Sequence, residues 1–341
     1  ASNSPGIDTG FNAVNVVNTR DLDGLFRVRP LGGQIDMGCY EMPGGGDLSC
    51  QLAASPVVGT APLTVVFDGA ADGTNTTGAA YRWTFDDGSV SGWSADRRIV
   101  HTYAARVEPY AASLEVTNAA GDTASRVLAV PIQVYPATVF AATNGAHVSP
   151  FDTWAKAATN LQAAIDAAGG GYTAELVVSN GVYTAPAEIL VAKALPIRSA
   201  AGAAETVLKG EYPAAMHRVI RFTTASGGSG LDGFTITNGY LTGAEGAGIY
   251  VERATGKGVA IRNCLIAGNV NGNRSGGGMA MNSEYSAVSN CQFIGNSAGA
   301  VFDARGGRYR IIQHVELRAG AEFGVPHREG TVYDPAALDA G

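Results

Sequence analysis

Two seven-residue segments, Asn263-Cys264-Leu265-Ile266-Ala267-Gly268-Asn269 and Asn290-Cys291-Gln292-Phe293-Ile294-Gly295-Asn296, share one template. A third, Gly233-Phe234-Thr235-Ile236-Thr237-Asn238-Gly239, is a looser copy upstream, and the offsets are 30 and 27 residues. Each copy alternates apolar with polar or small side chains and ends at Asn or Gly, as a half-buried strand closing into a turn does. Repetition at this period predicts a parallel β-solenoid. One coil cannot bury its own apolar face, so each copy needs neighbours stacked about 4.8 Å above and below.

The template places Cys264 and Cys291 at equivalent positions with parallel side chains. That geometry suits a stacked pair of buried thiols better than a disulfide, which needs a specific dihedral. Asn263, Asn269, Asn290 and Asn296 fall at the bends. Asn tolerates left-handed backbone and stacks in register, so the six residues together are read as a structural rung ladder.

The chain has 341 residues, enough for two or three domains, and a hydrophobic fraction of 46%, which places it among cored proteins. Its 46 glycines lack a three-residue period, so they fit a turn-dense, mainly β architecture rather than collagen. A net charge of −7 without any Lys/Arg cluster argues against a nucleic-acid partner. No apolar run approaches the ~18 residues that span a bilayer, so membrane insertion is not expected. The chain opens at Ala1 with no signal pattern and reads as a mature or excised segment. Four cysteines do not make a disulfide scaffold here; Cys39 and Cys50 flank a Pro-Gly turn, and a bridge between them stays open.

Three regions follow. Residues 1–47 carry Ser4-Pro5-Gly6-Ile7-Asp8-Thr9-Gly10, Asp21-Leu22-Asp23-Gly24 and Gly33-Gln34-Ile35-Asp36-Met37-Gly38-Cys39-Tyr40-Glu41, pieces too few to form a core. They resemble the closing segment of secreted bacterial right-handed parallel β-helix proteins of the pectate-lyase-like kind. Residues 48–136 read as a β-sandwich, with strand runs at 63–67, 79–85, 97–103, 111–117 and 124–134. Its Ala61-Pro62-Leu63-Thr64-Val65, Trp83-Thr84-Phe85-Asp86-Asp87-Gly88, His101-Thr102-Tyr103 and Val116-Thr117-Asn118-Ala119-Ala120-Gly121 resemble the immunoglobulin-like PKD domain family, with Asp86 where the family's turn usually has Gly. Trp83, alternating with Tyr81 and Phe85, reads as core.

Residues 137–341 read as the β-helix itself. Asp152 to Ala168 predicts an amphipathic helix with Trp154, Ala158, Leu161, Ile165 and Ala168 on one face, capping the first coil. Strands are expected at 175–179, 188–191, 196–199, 207–210 and 219–223. Phe140 to Gly145, Trp154 to Ala168 and Val178 to Tyr183 resemble the opening of the same β-helix family. The fold class is therefore mainly β: a right-handed parallel β-helix with an N-terminal capping α-helix, plus an immunoglobulin-like PKD β-sandwich.

Catalytic chemistry is not apparent. Polysaccharide cleavage on a solenoid needs carboxylates clustered on one face, whereas Asp232, Glu245, Glu252, Glu284 and Asp303 are scattered and Glu252 aligns with Asn282. The histidines have no metal-ligand spacing, and Gly276-Gly277-Gly278 is a coil corner equivalent to Gly246-Ala247-Gly248. No catalytic, cofactor or metal residues are assigned. In the resemblance, a β-helix end precedes the PKD module and a β-helix beginning follows it. This leads to a non-catalytic extracellular or cell-surface structural or adhesive protein in which residues 1–47 complete a β-helix, either of the next molecule in head-to-tail self-assembly or of their own chain by folding back. Ile7, Ile35, Met37 and Tyr40 are the proposed assembly residues, with the chain itself or an extracellular polysaccharide as partner. The alternatives are a carbohydrate-binding or polysaccharide-cleaving β-helix, which an exposed aromatic strip beside two acids on one face would favour, and a spacer in a longer tandem protein.

Overall fold

The computed structural model describes residues 48–253, 257–274, 276–283 and 285–297, together with the strand backbone at 302–304, 310–311 and 315–318. Residues 1–47 lie outside this set, and with them Ile7, Ile35, Met37, Tyr40 and Cys39. Two compact units divide between Val134 and Tyr135.

The first unit is an antiparallel sandwich. Its strands are β1 (Ser49–Ser55), β2 (Val58–Thr60), β3 (Leu63–Asp72), β4 (Ala80–Thr84), β5 (Arg98–Tyr103), β6 (Ser113–Thr117), β7 (Thr123–Val127) and β8 (Gln133–Tyr135). One sheet has the order β1-β3-β5 and the other β4-β6-β7, with β2 and β8 paired separately. Strict alternation drives this. In β3, Val65 and Phe67 are fully buried while Thr64 and Val66, which alternate with them, are exposed. Phe67 is the hub, with Phe85 edge-on at 5.4 Å and Trp83 and Tyr103 tilted against it. Trp83 is thus core, 1% exposed. Cys50, a free cysteine, sits in the same cluster, and burial pushes its thiol up to about 11.

The turn after β4 shows how an aspartate can occupy a glycine position. Asp86 adopts φ +62°, a left-handed conformation that costs a non-glycine residue about 1 kcal/mol. Its carboxylate accepts from the Ala111 backbone N–H at 2.9 Å and from Arg106 Nη2 at 2.8 Å, and both bonds hold the carboxyl below its ordinary range. Arg106 also donates to the Asp86 carbonyl and lies 3.9 Å over the Tyr110 ring. The side chain therefore ties the turn to the chain beyond β5, which glycine could not do.

The second unit opens with β9 (Thr138–Ala141), α1 (Leu161–Ala167), β10 (Glu175–Val178), β11 (Gly181–Thr184) and β12 (Ile189–Val191). The chain then repeats the last three as β13 (Pro196–Ser199), β14 (Thr206–Lys209) and β15 (Ile220–Phe222). The next two rounds each gain a short strand: β16 (Gly230–Asp232), β17 (Thr235–Thr237), β18 (Tyr240–Leu241) and β19 (Ile249–Val251), then β20 (Ala260–Arg262), β21 (Leu265–Ala267), β22 (Val270–Asn271) and β23 (Met279–Met281). It continues through β24 (Ala287–Ser289), β25 (Cys291–Ile294), β26 (Phe302–Ala304), β27 (Arg310–Ile311) and β28 (Val315–Arg318).

Every strand pairs in parallel with its equivalent one round later. The result is three long parallel sheets, β9-β10-β13-β16-β20-β24-β27, β11-β14-β17-β21-β25-β28 and β12-β15-β19-β23-β26, and a two-stranded one, β18-β22. Register stacks like on like. Val139, Leu176, Ile197, Leu231, Ile261 and Val288 form one inward column, and Leu208, Ile236, Ile266 and Phe293 another. All ten are at most 3% exposed. This is why the repeats must follow one another closely in sequence: each row is buried only by its neighbours.

The helix is shorter than the sequence pattern suggests. It runs Leu161–Ala167, with the Asn160 side chain accepting from the Ala163 N–H at 2.8 Å. The backbone of Ala158 is already committed: its N–H donates to the Phe140 carbonyl and its carbonyl accepts from Ala142, both at 2.9 Å. That pairing with β9 precludes helix there, and residues 152–160 form turns instead. Leu161 and Ile165 join the core as the periodicity implied, and so do Ala158 and Ala168 from beyond the two ends of the helix, but Trp154 does not. It lies outside the helix, 44% exposed, with its ring 4.6 Å from that of Phe140.

Two outcomes are expected for the sandwich. Asp86→Ala keeps the left-handed strain and loses the tie, lowering unfolding stability by about 1 kcal/mol, whereas Asp86→Gly, by relieving the strain, loses less in the same denaturant titration. Asp87 governs the acid limb. Its partial burial raises the carboxyl, but hydrogen bonds from the Ser89 hydroxyl and backbone and from His101 outweigh this and hold it at about 2, against an ordinary 3.8. A depressed folded-state value stabilises the native state above the ordinary range, and that stabilisation is lost as pH falls from about 4 towards 2. Across that window the denaturant midpoint of the native protein should fall more steeply than that of Asp87→Asn.

Candidate functional site

The outward face of the β12-β15-β19-β23 sheet carries a polar network that spans four rounds of the chain. Glu188 precedes β12, Arg218 precedes β15 and Arg221 lies in it, Tyr250 lies in β19, and Glu252 and Asn282 follow β19 and β23. Arg221 pairs directly with Tyr250 in the register. The repeat therefore brings these residues together although they are about 30 apart in sequence.

Glu188 receives two arginines: Arg218 Nη1 stands 2.6 Å from Oε2 and Arg221 Nε 2.7 Å from Oε1. Arg221 Nη1 reaches Glu252 Oε1 at 3.0 Å, and the second oxygen of Glu252 accepts from the Thr224 N–H at 3.2 Å. Arg218 also donates through Nε to the Glu245 carbonyl at 2.9 Å, and its guanidinium lies 4.7 Å over the Tyr250 ring. Tyr250 Oη in turn accepts from Asn282 at 3.1 Å. The side chains of Arg218 and Glu188 are only 13% and 20% exposed, so this pair is shielded from water more than an ordinary surface ion pair.

An aromatic pair borders the network. Tyr212 and Tyr240 stack with ring centroids 4.1 Å apart and planes 11° from parallel, and Tyr212 is 41% exposed. Asn238, at φ +59°, fixes the base of the pair by donating to the carbonyls of Gly210 and Tyr212, both at 2.8 Å. The Tyr240 N–H donates to the carbonyl of His217, the residue next to Arg218, at 3.2 Å. The aromatic pair is thus tied through the backbone to the segment that carries Arg218.

The sequence reading named Glu252 and its alignment with Asn282, but not Glu188, Arg218, Arg221 or the tyrosines. Carrying the 30-residue period back one round would have placed Glu188 beside Arg218. Of the other scattered acids, Asp232 accepts from Asn263 Nδ2 at 2.6 Å, away from this face, and the side chains of Glu284 and Asp303 lie outside the described residues.

The proposed rung residues form two ladders. The exposed one runs from Asn290 Nδ2 to Asn263 Oδ1 and from Asn263 Nδ2 to Asp232 Oδ1, each 2.6 Å. Asn263 and Asn290 are left-handed at φ +51° and +49°, as Gly233 is in the equivalent place at +80°. The buried ladder joins Asn269 Nδ2 to Asn296 Oδ1 at 3.0 Å, while Asn269 Oδ1 accepts from the Gly239 N–H at 2.9 Å and its amide also donates to the Ile236 carbonyl. Cys264 and Cys291 are free, buried thiols at paired positions, and burial pushes the Cys264 thiol up.

The chain is thus mainly β, with an antiparallel immunoglobulin-like sandwich and a separate set of parallel sheets. Residues 49–130 match the PKD domain family. Among solved structures, one reported under the promiscuous specificity of carbohydrate-binding modules of the β-sandwich superfamily is 28% identical over 28% of this chain and 38% of its own, with a TM-score of 0.25. The pectin methylesterase of Aspergillus niger is 14% identical over 55% of this chain and 68% of its own, with a TM-score of 0.32. Likenesses this slight leave function to be read from the chain's own geometry. No curated protein matches the chain.

The two Asn ladders should respond differently to substitution. Asn269→Ala strands the buried Gly239 N–H and the Ile236 carbonyl, and should cost about 1–3 kcal/mol in thermal or denaturant unfolding. Asn263→Gly removes two exposed bonds, those with Asp232 and Asn290, but suits the left-handed backbone, so its cost should stay within about 0.5 kcal/mol.

Proposed function

We propose that this is a secreted or cell-surface glycan-binding protein whose parallel sheets form a right-handed β-helix, closed at its first coil by α1 and carrying the PKD sandwich as a spacer or adhesive module. The observation behind this reading is the Tyr212–Tyr240 stack, with Tyr212 exposed, tied through the Tyr240 N–H and the His217 carbonyl to the segment that carries Arg218 of the Glu188–Arg218–Arg221–Glu252 network. Saccharides present apolar C–H faces and many hydroxyls, and sites that hold such ligands combine aromatic surface with a few fixed polar groups. PKD domains are typical of extracellular proteins, and among the described residues no helix is long and apolar enough to cross a membrane.

Binding without cleavage is favoured by how the carboxylates are used. Glycoside hydrolysis needs one protonated acid facing a second carboxylate across the scissile bond. Here Glu188 is closed by two guanidinium groups and Glu252 by Arg221 and a backbone N–H, so both carboxylates are taken up within the network rather than facing each other across a gap. Packing of α1 on β9, β10 and β12 supports its capping role. Head-to-tail assembly through residues 1–47 concerns a segment outside the described residues, and no observation favours it over glycan binding.

The test is binding of the whole chain to soluble polysaccharides before and after Tyr212→Ala. Loss of one face of an exposed aromatic stack should weaken binding about tenfold, or 1.4 kcal/mol, with little change in melting temperature. Equal binding by a folded Tyr212→Ala protein would remove the aromatic pair from the site, and absence of binding to every polysaccharide would remove the reading.

A further inference from the structure

Resting on that reading, we infer that the face selects uncharged glycans and discriminates against polyuronates. The deciding feature is charge balance within the network. Arg218 and Arg221 are the cations that a uronate carboxylate would seek, and both are already engaged by Glu188 and Glu252. Arg253, next to Glu252, is also engaged, and Glu245 adds a further carboxylate beside Asn282. Through the terminal nitrogens these contacts leave over, an acidic sugar would set a further negative charge beside Glu188 and Glu252, and to pair fully with a guanidinium it would have to displace a carboxylate held in a partly shielded pair. It would then leave that carboxylate uncompensated, which is the costly way to open such a pair. A hydroxyl meets no such barrier. It can donate to a lone pair remaining on an engaged carboxylate oxygen, or accept from an amide, without breaking any existing bond.

The chain as a whole reinforces the preference, since its net charge of −7 repels a polyanion at long range. Affinity for an uncharged glycan through stacking and hydroxyl contacts should also be nearly independent of salt, because no ion pair forms across the interface.

Isothermal titration of the whole chain with glucomannan, xylan and mixed-linkage glucan, against polygalacturonate and alginate, provides the test. At least one neutral polysaccharide should bind, with affinity changing less than about twofold as salt is raised to 0.5 M, and the polyuronates should bind at least about tenfold more weakly. Preferred, salt-sensitive binding of polygalacturonate would overturn the selectivity and leave glycan binding standing. No binding to any of the five would overturn both. Glu252→Gln, which loosens the hold on Arg221, should raise polygalacturonate affinity about tenfold; a folded variant without that gain counts against the mechanism. Should the variant fail to fold, the salt response of the native chain still decides the question.

Discussion

In-register parallel stacking is the interaction on which the second unit depends. Each strand forms its main-chain hydrogen bonds with the strand one round earlier and one round later, and each inward side chain is buried by its counterparts in those same strands. Leu231 owes its burial to Ile197 below and Ile261 above. A single residue inserted into one round would displace a whole row from its column, because side chains alternate with a period of two. Hence the repeats tolerate changes of length only at the corners, where β18 and β22 extend two of the rounds.

Stacking also explains the left-handed residues. At each corner before the second sheet the backbone must turn sharply, and three successive rounds solve this with Gly233, Asn263 and Asn290. Asn serves because its amide bonds to the corner one round earlier, Asn290 to Asn263 and Asn263 to Asp232, which repays the strain with a contact that glycine lacks. Asp86 in the sandwich follows the same logic by a different route, with Arg106 and the Ala111 N–H as partners. In both places a polar side chain is retained at positive φ because its hydrogen bonds fasten one turn to another piece of chain.

Periodicity in the sequence revealed what depends on repetition and missed what depends on pairing. The Asn-Cys copies, the strands at 175–178 and 196–199 and the buried face of α1 could all be read from alternation or helical spacing. The first nine residues of the expected helix could not, because Ala158 gives its backbone to β9 and nothing in the local pattern shows that bond. The short strand Gly181–Thr184 was passed over for a similar reason: with Gly181, an exposed Val182 and only Tyr183 buried, it carries too little apolar alternation. In the sandwich, β1 escaped notice because Gln51 is buried between Cys50 and Leu52 and breaks the two-residue rhythm.

The polar face was hard to read because its members are ordinary when taken singly. Glu188, Arg218, Arg221 and Glu252 sit at strand ends, where charged residues are usual, and only the register converts them into neighbours. A ladder of ion pairs between rounds could by itself be no more than a staple, much as the Asn ladders are. What sets this one apart is the adjoining Tyr212–Tyr240 pair, which leaves aromatic surface in water where the sheets would gain more by burying it. An ion-pair network that only braced the coils would have no use for that exposure. On the proposed reading, the open aromatic surface is where a glycan completes the stack.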